Sequence, residues 1–254
     1  MNVKPIFKDV SLQTAFDKCG YVVVDLISSE EIKALDEIFQ ASHVQLPKDG
    51  FFTSAYSNDP DYKRKSSVEI VEIVKNKLAD LLQNYHVCGA DFIFKMPSEN
   101  SQLDLHQDWS FVDESENVSL NCWIPLCDIN DKNGAIYVLP GSHFTHFEAY
   151  RSPSIKFFFK DNEDIVHKKL KPLYVKAGQA IFINHSLVHY SPPNLTNEIR
   201  KAVVVGIKSV DAQMYFLYYD RKAKMLEYYK QEDNYAEKFE NFAVDVYHLS
   251  LIHI

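Results

Sequence analysis

Near residue 91 the apolar pattern of this chain changes period, and that change limits the fold more than any other feature. Before it, apolar residues recur at helical spacing. After it they alternate, as in strands that bury one face. Strand candidates follow at 91–96, 103–108, 118–126, 135–139, 172–176, 179–184, 187–191 and 201–209, with Asn133-Gly134 and Ala177-Gly178 as turn signals between them. Eight short strands behind a helical N-terminal layer fit a double-stranded β-helix, the double-sheet jelly roll of cupins. The chain is therefore read as mainly β with flanking α, its N-terminal helices buttressing one sheet.

The first ninety residues supply that layer. Residues 10–19 read as a short helix ended by Gly20, and 21–26 as a strand. Ser28-Ser-Glu-Glu31 has capping-box spacing, so a helix runs to about Ser42 with Ile32, Leu35, Ile38 and Phe39 on one face. The polar, aromatic stretch 50–66 reads as an ordered loop. An apolar stripe of Val68, Val71, Ile73, Val74, Leu78 and Leu81 predicts a helix over 67–85. The tyrosine-dense segment 211–254 is expected to hold a helix over 222–240. No linker rich in Pro, Gly or Ser divides the sequence, so residues 1–254 are read as one domain: helical layer to about 90, jelly-roll core 91–210, and the C-terminal segment.

Composition narrows the function. Of 254 residues, 46% are hydrophobic, enough for a sizeable core, and the net charge of −8 argues against nonspecific nucleic-acid binding. No apolar run reaches the roughly 18 residues of a membrane-spanning helix. The start, MNVKPIFKDV, has no apolar signal region. The four cysteines, Cys19, Cys88, Cys122 and Cys127, form no metal-binding spacing and read as reduced thiols, so the expected location is the cytoplasm.

One split constellation carries chemistry. His106 and Asp108 are two residues apart in a strand candidate, so their side chains project to one face while Gln107 points away. His189 comes about eighty residues later, on a strand expected to face the first across the barrel. Two imidazoles and a carboxylate are the facial ligand set of a mononuclear non-haem Fe(II) centre, which leaves positions open for a bidentate 2-oxo acid and for O2. Arg200, eleven residues past His189, offers a fork of donors to a far carboxylate, and the Ser191 hydroxyl stands ready to add another. Together they point to 2-oxoglutarate as co-substrate. Rival histidines exist. His185 shares a strand face with His189, and His143 and His146 follow Pro140-Gly-Ser. His189 is preferred because Ser191 and Arg200 follow it in register, which leaves His185 as a supporting or strand-edge group. Taken singly, each piece has a plainer reading: a chance pair, a core histidine, a surface arginine. Their joint order carries the inference.

These residues resemble the phytanoyl-CoA dioxygenase family of Fe(II)/2-oxoglutarate oxygenases. The likeness rests on Leu105-His106-Gln107-Asp108, Trp123-Ile-Pro-Leu126, Asn133-Gly134-Ala135, Val138-Leu-Pro-Gly-Ser-His143, His185-Ser-Leu-Val-His189-Tyr-Ser191 with Asn194 and Arg200, and the N-terminal Phe16-Asp-Lys-Cys-Gly20 run. It covers about residues 10–210. The resemblance implies a double-stranded β-helix, iron on His106, Asp108 and His189, and 2-oxoglutarate on Arg200. It also implies that Trp123 lines the co-substrate pocket, although a plain core aromatic fits that position as well. Asn121 alternates onto the same face as Trp123 and becomes a candidate contact. Halogenating relatives have a small residue where Asp108 stands, so the resemblance implies hydroxylation or another hydrogen-abstraction outcome, with succinate and CO2 released.

The substrate is a small molecule by expectation, with no nucleic-acid or membrane partner. Its pocket is expected from the 50–66 and 109–117 loops and the C-terminal segment, with Tyr56, Lys63, Lys65, Trp109, Tyr137 and Arg151 as candidates. Each has an ordinary alternative as packing or solvated charge. The sequence has no basic cluster suited to coenzyme A phosphates, which favours a small metabolite of a biosynthetic or tailoring route. Two other classes stay open: a non-catalytic cupin-type binding protein, and an isomerase or hydrolase with another metal on the same fold.

Overall fold

The computed structural model describes residues 3–43, 45–144 and 150–231. In chain order it contains α1 (Val10–Cys19), β1 (Tyr21–Asp25), α2 (Ser29–Ser42), β2 (Phe51–Thr53), α3 (Pro60–Leu81), β3 (Tyr85–Lys95), β4 (Leu103–His106), β5 (Ser119–Pro125), β6 (Ile136–Val138), β7 (Lys171–Leu173), β8 (Gln179–Asn184), β9 (His189–Ser191), β10 (Arg200–Ser209), β11 (Met214–Asp220) and β12 (Met225–Gln231).

The eight expected core strands split four and four between two facing antiparallel sheets. The larger sheet has the order β1-β8-β5-β10-β3-β2, and the smaller the order β4-β9-β6-β7. This is the double-sheet jelly roll, with β1 and β2 widening one sheet. The helices cover the outer face of the larger sheet. Phe16, Leu35, Phe39, Ile70, Val74 and Leu78 pack there against Ala90, Phe92, Leu120, Phe182 and Val205. Trp123, Ile181 and Ala202 turn to the inner face and meet Ile136, Val138 and Leu173 of the smaller sheet.

Local signals explain the helix ends. Gly20 ends α1 at φ 80°, where a side chain would also strike His143. Ser28 and Glu31 close the expected capping box of α2.

Three expectations change. The stretch 50–66 is only partly a loop, because β2 and a 3-10 turn fill its first half and α3 begins at Pro60. Asp59 caps that helix by accepting from Asp61 and Tyr62, and proline sits at its first position. The first turns of α3 lack an apolar stripe, which hid its start. At the other end α3 stops at Leu81 and β3 begins at Tyr85, so 82–85 is not helical.

The described part of 222–240 is not a helix. Asp220 accepts from Lys222 and Ala223, Lys224 turns through φ 54°, and β12 pairs with β11 along its length. Residues 232–240 lie outside the described residues.

Candidate active site

The smaller sheet builds one wall. β4 and β9 do not face each other across the barrel as expected but are antiparallel neighbours in one sheet, and strand pairing sets His106 directly opposite His189 with ring centroids 4.1 Å apart. Strand pairing ends there. Asp108 lies just past β4 rather than inside it, yet its Oδ1 comes 3.8 Å from His106 Nε2. Ligand atoms of His106, Asp108 and His189 all fall within 4.8 Å of one another.

Both imidazoles are fixed by carbonyls of their own chain segment. His106 Nδ1 lies 2.6 Å from the Asp104 carbonyl and His189 Nδ1 2.9 Å from the Leu187 carbonyl. A carbonyl only accepts, so both Nδ1 atoms carry the proton and both Nε2 lone pairs are left for a ligand. Burial, and then His189, pushes His106 down to about 4, which keeps its ring neutral. Burial raises Asp108, but His189, His185, His106 and Arg151 outweigh it and hold the carboxyl below its usual range. Two imidazoles and one carboxylate, oriented before any ion arrives, fit a divalent borderline metal with three protein ligands.

Asp108 is outside the sheet ladder, so side chains hold it. Asn121 Nδ2 donates to Oδ2 at 3.0 Å. Arg151 Nε donates to the Asp108 carbonyl at 2.7 Å. The remaining guanidinium edge is clamped by both carboxylate oxygens of Glu114. Ser110 and Arg151 exchange two further bonds, 2.9 and 3.1 Å, that pair the two segments.

The larger sheet builds the facing wall of a cavity of about 390 Å³. Asn121 and Trp123 both point into it, as their alternation predicts. Arg200 is 3% exposed and its guanidinium lies 5.4 Å from the Trp123 ring centroid. Its Nε has no hydrogen-bond partner among the described residues. Burial lowers Arg200 to about 10. A buried guanidinium with an unpartnered donor fits an anionic ligand such as a 2-oxo acid, because an unpaired buried charge is costly.

Ser191 lines the cavity, but its hydroxyl donates to the Gly134 carbonyl at 2.9 Å, so here its proton is committed to the turn and not left for a co-substrate.

Sequence reasoning missed Lys95, which is fully buried beside Arg200. Its Nζ donates to the carbonyls of Ser191 at 2.8 Å and Pro192 at 2.6 Å. Burial, then Arg200, pushes it down to about 6. Gly134, at φ 82°, lets it pass: a Cβ there would meet the Pro192 carbonyl at 2.8 Å and Lys95 Cδ at 2.9 Å. Nothing in sequence marks a lysine as buried. Its strand neighbour Arg200 was the available hint.

Of the substrate candidates, Trp109 lines the cavity, against Phe111 and Phe216. Arg151 does not, being spent on Asp108 and Glu114. Tyr137 turns away from the cavity because Ile136 faces inward on the same strand, and it packs on Tyr190. Lys63 lies on α3, buried, and Lys65 is exposed with Glu69 at 3.9 Å; neither lines the cavity. The side chain of Tyr56 lies outside the described part.

Among the histidines, His143 supports the Gly20 turn through the Asp17 carbonyl at 2.9 Å. His146 lies outside the described residues. His185 lines the cavity with Nδ1 on Ser119 Oγ at 2.9 Å.

Comparison with known proteins gives the family and the fold. A family model described as Phytanoyl-CoA dioxygenase (PhyH) matches residues 16–202. A phytanoyl-CoA dioxygenase of Arabidopsis thaliana is 29% identical over 129 residues, covering 47% of this chain and 43% of its own length. Phytanoyl-CoA dioxygenase domain-containing protein 1 of Danio rerio is 29% identical over 162 residues, covering 61% and 54%. The chain thus spans about half the length of these curated relatives. Among solved structures, HygX from Streptomyces hygroscopicus with nickel and 2-oxoglutarate bound has a TM-score of 0.61 at 14% identity, covering 88% of this chain and 96% of that one. That likeness supports the fold. Among the described residues no helix is long and apolar enough to cross a membrane.

Proposed function

The chain belongs to the phytanoyl-CoA dioxygenase family, and from that premise we propose that it is an Fe(II)- and 2-oxoglutarate-dependent oxygenase that hydroxylates an unactivated C–H bond of a small metabolite. One observation carries the reading. Three oriented ligand atoms and a buried guanidinium with an unpartnered donor share the wall of one cavity. A binding protein has no need of a metal triad and an anion site together, and an isomerase or hydrolase has no need of the anion site.

In this reading His106, Asp108 and His189 hold the ferrous ion, and Arg200 receives the far carboxylate of 2-oxoglutarate. Bound iron, with O2, supplies the oxidising power that splits the co-substrate into succinate and CO2 and oxygenates the substrate. The chain does the rest. Trp123 packs beside the Arg200 guanidinium. Lys95 ties down the end of the strand that bears His189. Asn121 and Arg151 aim Asp108, and Trp109 and Phe111 wall the site with aromatic surface.

The cavity volume, at the small end of the range for ligand pockets, supports a compact substrate. We place that substrate in the tailoring of a natural product or amino acid. One HygX structure of similar fold has hygromycin B bound together with nickel and 2-oxoglutarate. Residues 1–254 act together as one oxygenase domain, in the cytoplasm, in keeping with four cysteines that form no disulfide among the described residues.

Anaerobic titration of metal-free protein with Fe(II) and 2-oxoglutarate tests the reading. A weak visible charge-transfer band is expected, absent in Asp108→Ala, followed by succinate formation when O2 and a stimulating metabolite are added. Folded protein without the band would return the chain to the binding-protein or other-metal classes.

A further inference from the structure

The cavity is polarised along the larger sheet. Arg200 and Lys95 are Cα partners at one end. Four residues further along both strands, about 13 Å at 3.3 Å per residue, Val204 pairs with Asp91. Among the described residues only two acidic side chains line the cavity, Asp108 and Asp91. Asp108 is committed to the metal site.

Asp91 is poorly furnished for its depth. Ser54 Oγ donates to Oδ1 at 3.2 Å, and the other oxygen takes no hydrogen bond from any described residue. A carboxylate offers about four acceptor positions, so most of its capacity is left to the cavity. Lys63 acts on it by charge from α3 without lining the cavity.

Beside Asp91 the floor is bare. Gly206 pairs with Gly89 on one side and with Asn121, the partner of Asp108, on the other. A methyl group at 206 would meet nothing nearer than 3.8 Å. This floor crosses two strand spacings, about 10 Å, from the Asp91 strand to the strand that supports Asp108. Ile93, Val204, Trp109 and Phe111 give the space apolar sides.

We propose that the primary substrate carries a protonated amine, that Asp91 receives it, and that the apolar body lies over the Gly206–Gly89 floor with its far end at the metal ligands. The inference rests on the oxygenase reading of this same cavity and adds the substrate class. The volume must also hold 2-oxoglutarate, so the amine is compact. Burial pushes Asp91 up to about 6, and Ser54 and Lys63 only partly offset that. An arriving cation relieves this cost, whereas an alcohol or an acid does not.

The test uses the full chain loaded anaerobically with Fe(II) and 2-oxoglutarate, and three isosteric probes: hexylamine, hexanol and hexanoate. Tyramine and tyrosol form a second matched pair. Perturbation of the charge-transfer band gives each affinity. The amine of each set should bind at least about tenfold more tightly than its neutral or acidic partner, the scale of one charged hydrogen bond. In Asp91→Asn, which keeps an acceptor for Ser54, that preference should fall below about threefold. Equal or tighter binding of the alcohols or acids, no amine binding at all, or a preference that survives Asp91→Asn, overturns the proposal. The wild-type comparison decides the matter even if the variant folds poorly. Absence of the band itself indicts the oxygenase reading instead.

Discussion

The larger sheet has two faces drawn from the same strands in the same register, and they have opposite tasks. Outward, β3 presents Ala90, Phe92 and Phe94, and β5 presents Leu120, Cys122 and Ile124, all packed under the helices. Inward, the intervening positions present Asp91, Lys95, Asn121 and Trp123, with Arg200 beside them. One face is closed with apolar contacts. The other buries ionisable groups, among them Arg200 with an Nε that has no partner among the described residues. The difference teaches that the helical layer is more than decoration on a barrel. Its packing stabilises a wall whose inner side is held in an electrostatically costly arrangement.

That division can be broken in order of effect. Phe92→Ala, at a fully buried outer position, should cost about 3–5 kcal/mol by cavity formation. Denaturant unfolding checks this, while the surviving folded protein should keep its affinity for 2-oxoglutarate. Arg200→Ala should do the reverse. It should weaken 2-oxoglutarate by on the order of 2–5 kcal/mol with little loss of stability, because it removes a buried cation with an unpartnered Nε. A large drop in melting temperature with unchanged co-substrate requirement would remove Arg200 from the site.

Arg151→Ala tests the smaller wall. Metal affinity, measured by titration of metal-free protein, should fall about 10- to 100-fold, and Arg151→Lys should recover little because one ammonium cannot serve Asp108 and both Glu114 oxygens. The smallest effect is a pH signature. The folded-state pKa of Asp91 is raised to about 6 by burial, so its cost is absent below the ordinary carboxyl range, grows as pH rises, and is complete above about 6. Asp91→Asn should therefore stabilise the protein at neutral pH and change its stability by almost nothing near pH 4, as denaturant unfolding at the two pH values would read. A pH-independent difference would show that Asp91 is not strained by burial.

Legibility in the sequence follows the same division. Alternation reveals which residues share a face, so the eight core strands and the pairing of Asn121 with Trp123 were readable; His106 and Asp108 come together for another reason, because Asp108 lies past β4 and Gln107 between them lines the cavity too. The C-terminal hairpin was not. Lys222, Ala223 and Lys224 have helical composition, yet they form the turn, and the aromatic run 214–220 was the better signal. The start of α3 was written in Asp59-Pro60 but masked by a polar first turn. Site residues were readable where ligand chemistry demands a type and spacing. They were unreadable where only tertiary burial gives an ordinary residue its role, as for Lys95 and Asp91. Arg151 stood as a substrate candidate, yet it bonds the Asp108 backbone and does not line the cavity, and a sequence cannot distinguish the two.

His106 and His189 of the candidate metal site have their Nδ1 contacts to carbonyls two residues earlier on their own segments. Each ligand therefore travels with its own support, and no distant loop is required to aim it. For protein engineering this makes the histidine pair a portable cassette. The wall segments around Thr53, Trp109 and Met214 can be exchanged to admit new molecules without re-aiming either imidazole. Asp108, which depends on Arg151 and Glu114 from elsewhere in the chain, is the one ligand such grafting must carry along with its clamp.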